Sequence, residues 1–266
     1  MMNKNSFLLP KIQTKYRWDA EPVFCFTSDI DWASEDVLNE FIHIILVNEF
    51  KFTFFVTHYS EIINDLYVNK IIERCIHPNF LPHSSHGNTF KEVIEMCKNL
   101  APESIGCRSH RAFDVTDVSH LLYNDFGIKY TSNTISTLHK NITPVLHESR
   151  LINYPVFFED GSFLYNELGL SIKPYLEYFT FPGLKIISLH PMNMVFNTFS
   201  IKWMRNIKDS MSPHDYNHID NATISKLKNT SNGIYNTAQE IFDLVKKNNY
   251  KIMSMNEIYY ETIKNN

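Results

Sequence analysis

The stretch Val23-Phe24-Cys25-Phe26-Thr27-Ser28-Asp29-Ile30-Asp31-Trp32 decides how the rest of the chain is read. It is an apolar, β-forming run that ends in two carboxylates one residue apart. Side chains alternate faces along a strand, so Asp29 and Asp31 point the same way. Two acids at the mouth of a buried strand are costly unless a cation sits with them. The pattern points to a metal site or an acid–base pair, with solvated aspartates in a strand-end turn as the plainer alternative.

Outward from this stretch, Ser34, Glu35 and Asp36 make a helix start, and Val37, Leu38, Phe41, Ile44, Ile45 and Leu46 keep helical spacing to about Asn48. Residues 51–58 (KFTFFVTH) read as a strand and 61–72 as a helix. Arg74-Cys75-Ile76-His77 reads as a short strand stopped by Pro78. The rhythm continues with helices over 90–100 and 115–124 and strands over 104–108 and 128–132. Between 133 and 160 only one extended run stands out, Leu151 to Phe158. A strand over 184–190 stops at Pro191, a polar stretch without period covers 210–232, and a helix spans 234–248. A strand over 251–255 and a short terminal helix close the chain. Alternating strands and helices imply parallel strands covered by helices. Residues 1–20 read as an N-terminal arm and 21–266 as one α/β domain.

Composition narrows the function. A chain of 266 residues with 44% apolar and 20% charged residues can bury a sizeable core. A net charge of −4 gives no footprint for nucleic acid or an anionic membrane. Seven glycines, in none of the usual patterns, argue against a phosphate-cradling loop. Cys25, Cys75, Cys97 and Cys107 show no metal-finger spacing. No apolar window is long enough to span a membrane, and the first ten residues do not form a signal peptide. A cytoplasmic protein with reduced thiols is expected.

Residues able to do chemistry recur where strands end. Asp29 and Asp31 follow the first strand, His77 the third, Arg108, His110 and Arg111 the fourth, and His190 a late one. In parallel α/β folds the carboxyl ends of the strands form the active face.

The segments FTSDIDWA (26–33), IHPNFLPHSSHG (76–87), GCRSHRAFDV (106–115) and SLHPMNM (188–194) resemble the polysaccharide deacetylases, the NodB-like enzymes of carbohydrate esterase family 4. Within them, the chain is similar to the branch associated with surface-polysaccharide biosynthesis, over roughly residues 22–195. The resemblance implies a distorted, incomplete (β/α) barrel and metal-dependent removal of an N-acetyl group from a sugar. It makes Asp29 the catalytic base, Asp31 and His77 metal ligands, and Arg108 the holder of Asp29. His190 becomes the acid for the leaving amine, with Asp160 its partner and Glu159 the alternative. The family's second histidine falls where this chain has Leu81. That leaves His86, ahead of His83, as the expected third ligand, with Asn79 or water as other fillers. Trp32, Asn79, Arg111 and Phe113 stand as substrate-contact candidates, with a surface charge as the plainer reading of Arg111. His110 reads equally as a half-buried histidine bonded to backbone. The implied cofactor is a divalent metal, zinc first. The implied substrate is an N-acylated sugar, nucleotide-sugar or lipid-linked saccharide.

Two other readings stay open. The D-x-D pair also suits a haloacid-dehalogenase-like phosphatase, with Asp29 as nucleophile. Leu81 would also fit a deacetylase-like protein that binds sugar without turning it over.

Overall fold

The computed structural model describes residues 10–263. Its elements in chain order are β1 (Pro22–Asp29), α1 (Glu35–Leu46), β2 (Phe52–Val56), α2 (Glu61–Val68), β3 (Glu73–Ile76), α3 (Phe90–Leu100), β4 (Gly106–Cys107) and α4 (Thr116–Asn124). Four short strands follow, β5 (Tyr130–Thr131), β6 (Val145–Leu146), β7 (Ile152–Asn153) and β8 (Phe158–Glu159). Then come α5 (Asp160–Tyr165), α6 (Leu176–Thr180), β9 (Gly183–Leu189), α7 (Pro191–Val195), α8 (Ile201–Asp209), α9 (Pro213–Asn217) and α10 (Asn221–Leu227). The chain closes with α11 (Ile234–Asn248), β10 (Lys251–Ile252) and α12 (Met255–Thr262).

The strands form one curled sheet in the order β6-β7-β5-β4-β3-β2-β1-β9-β8, and β10 pairs with the start of β1. Every pairing is parallel except β6 with β7. This is the distorted, incomplete (β/α) barrel. All eight residues of β1 are buried, as expected for a strand covered on both faces. Its register against β9 pairs Thr27 with Ser188, and against β2 it pairs Asp29 with Phe55. The helix-facing side of β1 carries Phe24 and Phe26, which pack on Tyr250, Phe50, Phe52 and Phe242. The other side carries Thr27 and Asp29. One strand therefore serves the core with one face and the site with the other.

Several boundaries differ from those read in the sequence. The strand expected over 251–255 is only two residues long, because Ser254 caps α12 by accepting from the Glu257 N–H. The stretch 210–232 holds α9 and α10, each capped by its own Ser212 or Asp220. Five to seven residues are too few to display a helical period. Residues 1–9 of the expected arm lie outside the described residues. The rest of the arm is docked: Trp18 is buried and stacks on Tyr16, and the Gln13 N–H donates to the Thr262 carbonyl at 2.9 Å. No helix among the described residues is long and apolar enough to cross a membrane.

Lys185 in β9 is fully buried, and its Nζ has no hydrogen-bond partner among the described residues. It sits 4.5 Å over the Phe157 ring. Burial, helped by the nearby Lys140 charge, pulls its pKa down to about 8. Its folded pKa lies below that of an unfolded lysine, so the penalty is complete below about pH 8 and fades as pH rises toward the unfolded value. Lys185→Met is therefore expected to raise the melting temperature at pH 7, with the gain shrinking between pH 8 and pH 10. Calorimetry across that range checks it; a loss of stability at pH 7 would mean the amine has a partner.

Candidate active site

The functional side chains gather where β1, β3, β4 and β9 end, around a cavity of about 270 Å³. Its floor is built from the acid pair. Asp29 is buried at the last position of β1. Asp31 follows on a left-handed turn, φ 43° at Asp31 and 57° at Trp32. Left-handed backbone costs a non-glycine residue roughly 1–2 kcal/mol, so two in succession is strain that the surrounding contacts must hold. The turn is held by the Trp32 N–H, which donates to Thr57 Oγ1 at 3.1 Å.

Asp29 owes its position to Arg108. The guanidinium Nη1 lies 2.8 Å from Asp29 Oδ1, 2.9 Å from Thr27 Oγ1 and 3.0 Å from Ser188 Oγ. Its Nε donates to the Ser132 carbonyl and its Nη2 to Ser132 Oγ. The cation also lies 4.2 Å over the Phe55 ring. Both charges are buried, so each depends on the other for solvation.

Asp31 has different company. His77 Nε2 is 3.2 Å and His110 Nδ1 3.0 Å from its Oδ1. Burial pushes the Asp31 carboxyl up, but hydrogen bonds from His110 and His77 and the charge of His190 more than reverse this and hold it well below the usual range. The ligand atoms of Asp31, His77 and His110 all lie within 4.8 Å of one another. Two imidazoles and one carboxylate this close form a donor set suited to a transition metal.

The histidine that stands with Asp31 and His77 is His110, whereas His86, the expected third ligand, lies apart from them. His86 is buried in the loop after β3 with both ring nitrogens engaged. Nε2 faces the Thr57 carbonyl at 2.8 Å, and Nδ1 meets the Asn79 N–H at 3.1 Å and the Cys97 thiol at 3.3 Å. Burial pushes the Cys97 thiol up to about 12, so it remains a proton donor to that nitrogen. His83 is exposed on the same loop. His110 reaches Asp31 because its backbone N–H donates to the Pro78 carbonyl, fixing the segment after β4 against the loop that carries His77. The spacing R-S-H was the available signal: Arg108 and His110 sit two apart at one strand end and face the two acids two apart at another.

His190 stands opposite. Its Nδ1 is 2.6 Å from Asp160 Oδ1, and its backbone N–H donates to Asp160 Oδ2 at 2.7 Å. Its Nε2 faces Asp29 Oδ2 at 3.9 Å and Asp31 Oδ2 at 3.8 Å. Burial lowers the imidazole pKa, but the charge and hydrogen bond of Asp160, with Glu159 and Asp31, raise it well above the ordinary value. Glu159 also lies near, at 3.4 Å from Nδ1, and burial together with the Asp160 charge pushes it up to about 7. Glu159, Asp160 and His190 form a second close group of possible metal donors. Their oxygens are already spent: Glu159 accepts from the Gly161 and Ser162 N–H groups, and Asp160 from Gly161 and His190.

Of the expected substrate contacts, Arg111 lines the cavity, with Ala112, Ile135 and Val156 as an apolar side. Trp32 lines a separate cavity with Ala33, His58 and Asn217, its ring centroid 5.3 Å from those of both His86 and His110. Asn79 is turned into its own loop, accepting from the Leu81 N–H. Phe113 packs with Phe80 and Phe90.

The sequence profile described as WbmS-like polysaccharide deacetylase matches residues 26–208. The chain belongs to this family. It is a carbohydrate deacetylase by that membership. The match takes in Asp29, Asp31, His77, Arg108, His110, Asp160 and His190. Among solved structures, the chain is similar to a candidate polysaccharide deacetylase involved in O-antigen biosynthesis from Bordetella bronchiseptica. The TM-score is 0.72 at 22% identity over 84% of this chain and 90% of that one. It also matches the peptidoglycan deacetylase PdaC of Bacillus subtilis, with a TM-score of 0.44, 10% identity and coverage of 91% and 92%. Comparison with proteins of curated function finds no match. The family sets aside the phosphatase reading, and among the described residues no lysine lines the cavity beside Asp29.

The geometry makes a direct prediction about the two histidines. His110→Ala should weaken zinc binding by tenfold or more, while His86→Ala should leave zinc affinity unchanged and lower the melting temperature. Isothermal titration with zinc on the full chain measures both. The opposite pattern would return His86 to the ligand set.

Proposed function

We propose that the protein removes an N-acetyl, or similar N-acyl, group from a sugar of a surface-polysaccharide intermediate, with a divalent metal held by Asp31, His77 and His110. The observation that carries this reading is the unequal setting of the acid pair. Asp29 is tied to Arg108 through Oδ1, leaving Oδ2 toward the cavity, while Asp31 joins two imidazoles. Zinc or a similar ion fits that donor set, and when bound it polarises an acyl carbonyl and acidifies a water.

The chain's own residues supply the remaining steps. Asp29, oriented by Arg108, takes the proton of the attacking water at Oδ2. As the C–N bond breaks, His190 gives its Nε2 proton to the leaving amine and the acyl group departs as the carboxylate. Asp160, on Nδ1, keeps the imidazole oriented and favours the protonated form an acid needs. The apolar side formed by Ala112, Ile135 and Val156 suits the acyl methyl. The reading does not depend on position 81, because His110 completes the donor set from another strand end.

The substrate on this reading is an N-acylated sugar, nucleotide-sugar or lipid-linked saccharide. We place the reaction in the cytoplasm, which suits four buried, unpaired cysteines.

Asp29→Asn is expected to lower acetate release by about 100-fold or more while zinc affinity stays at the wild-type level. Release is followed from N-acetylglucosamine oligosaccharides and UDP-N-acetylglucosamine, and zinc by titration. Loss of metal together with activity would make Asp29 a ligand and overturn the division of roles.

A further inference from the structure

Two arginines line the catalytic cavity, and only one is used by the protein itself. Arg108 is committed to Asp29, Thr27, Ser188 and Ser132. Arg111 is exposed and has no hydrogen bond or ion pair among the described residues. It directly follows His110, whose Nδ1 lies 3.0 Å from Asp31 Oδ1, and all three residues line the same cavity. Its backbone is unusual too. Arg111 and Ala112 both take left-handed conformations, at φ 56° and 53°, in a turn closed by the Ala112 N–H on the Ser109 carbonyl. Two successive non-glycine residues in that region are kept where surrounding structure over-determines them, often at ligand sites.

The charge around Arg111 sharpens the point. The acids lining the cavity are Asp29, Asp31 and Glu159. Asp29 is matched by Arg108, Asp31 faces two imidazoles, and Glu159 faces His190 and backbone N–H groups. None of them reaches Arg111. A free guanidinium at the rim of a cavity whose acids are otherwise engaged attracts an anion and presents a planar fork to it. The cavity, at about 270 Å³, has room for a single sugar ring, and Arg111 lines it together with the acid pair, so an anion on or next to that ring would lie on the Arg111 side.

We infer that Arg111 is a specificity residue that reads an anionic substituent, a carboxylate or a phosphate, on the sugar being deacylated. The inference rests on the deacylation reading above and narrows its substrate class. A uronic-acid sugar and a sugar phosphate or nucleotide-sugar are the two sources of such an anion.

The test compares three probes on the full, zinc-loaded chain: N-acetylglucosamine, its C6 carboxylate 2-acetamido-2-deoxyglucuronate, and UDP-N-acetylglucosamine. Affinity is measured by titration and turnover by acetate release, with inorganic phosphate as a bare-anion probe of affinity. At least one anionic sugar should bind roughly 10- to 100-fold more tightly than the neutral one, with the advantage shrinking as salt rises. Which anionic sugar wins tells carboxylate from phosphate. Arg111→Gln should collapse the anionic-to-neutral ratio toward one and abolish phosphate binding, while Arg111→Lys should restore part of the ratio. Arg111 is exposed, and an unchanged melting temperature confirms that the fold is intact. An anionic-to-neutral ratio unaffected by Arg111→Gln, or no anion binding by the wild-type protein, overturns the inference. Arg111-dependent anion binding with no acetate released from any probe would support the role of Arg111 and count against deacylation instead.

Discussion

A buried guanidinium fixes the geometry on which this site depends. Arg108 leaves the end of β4, crosses the concave side of the sheet and bonds to groups on or just beyond β1, β9 and β5. It joins strand ends that are distant in sequence, and it does so at the positions where the chemistry sits. Burying this cation is expensive, and Asp29, three hydroxyls and a carbonyl repay the cost only together. Stripping away one partner would strand the other, an effect of about 3–5 kcal/mol for a buried ion pair. The fold and the orientation of Asp29 are thus one interaction seen twice.

That constraint explains why two aspartates on one strand end behave differently. Asp29 lies within the strand, where its neighbours are fixed by register, and it meets Arg108. Asp31 lies beyond it on a left-handed turn that swings its carboxylate toward the loops carrying His77 and His110. His190 faces both from the end of β9, and Asp160 sets its orientation from the start of α5. Four separate strand ends contribute these groups: β1 the two aspartates, β3 His77, β4 Arg108 and His110, and β9 His190. A sheet of parallel strands delivers them to one end although the four segments are far apart in sequence.

The sequence made the parallel sheet, the acid pair, His77, Arg108 and His190 legible, because each follows a dense β-forming run and marks its end. The family resemblance added the pairing of Arg108 with Asp29 and of Asp160 with His190, and both contacts are present. The expectation placed on His86 parts from the observed geometry for a physical reason. His86 lies near His77 in sequence, but its loop folds it inward, where Thr57, Asn79 and Cys97 occupy its nitrogens. His110 is 33 residues from His77, yet β3 and β4 are neighbours in the sheet. Proximity along the chain competed with adjacency across the sheet, and adjacency won. Trp32 and Phe113 show the same limit: an aromatic beside a catalytic residue packs against whatever the fold places behind it. The capped short helices after β9 carry too few turns to announce themselves.

The central claim is that one carboxylate of the pair belongs to a metal and the other to a water. A crystal structure of the zinc-loaded protein, with the ion located by its anomalous scattering, tests it most directly. The account requires the ion on Asp31, His77 and His110, with Asp29 outside the coordination shell and still bonded to Arg108. An ion bound through Asp29 or His86, or seated instead among Glu159, Asp160 and His190, would contradict it.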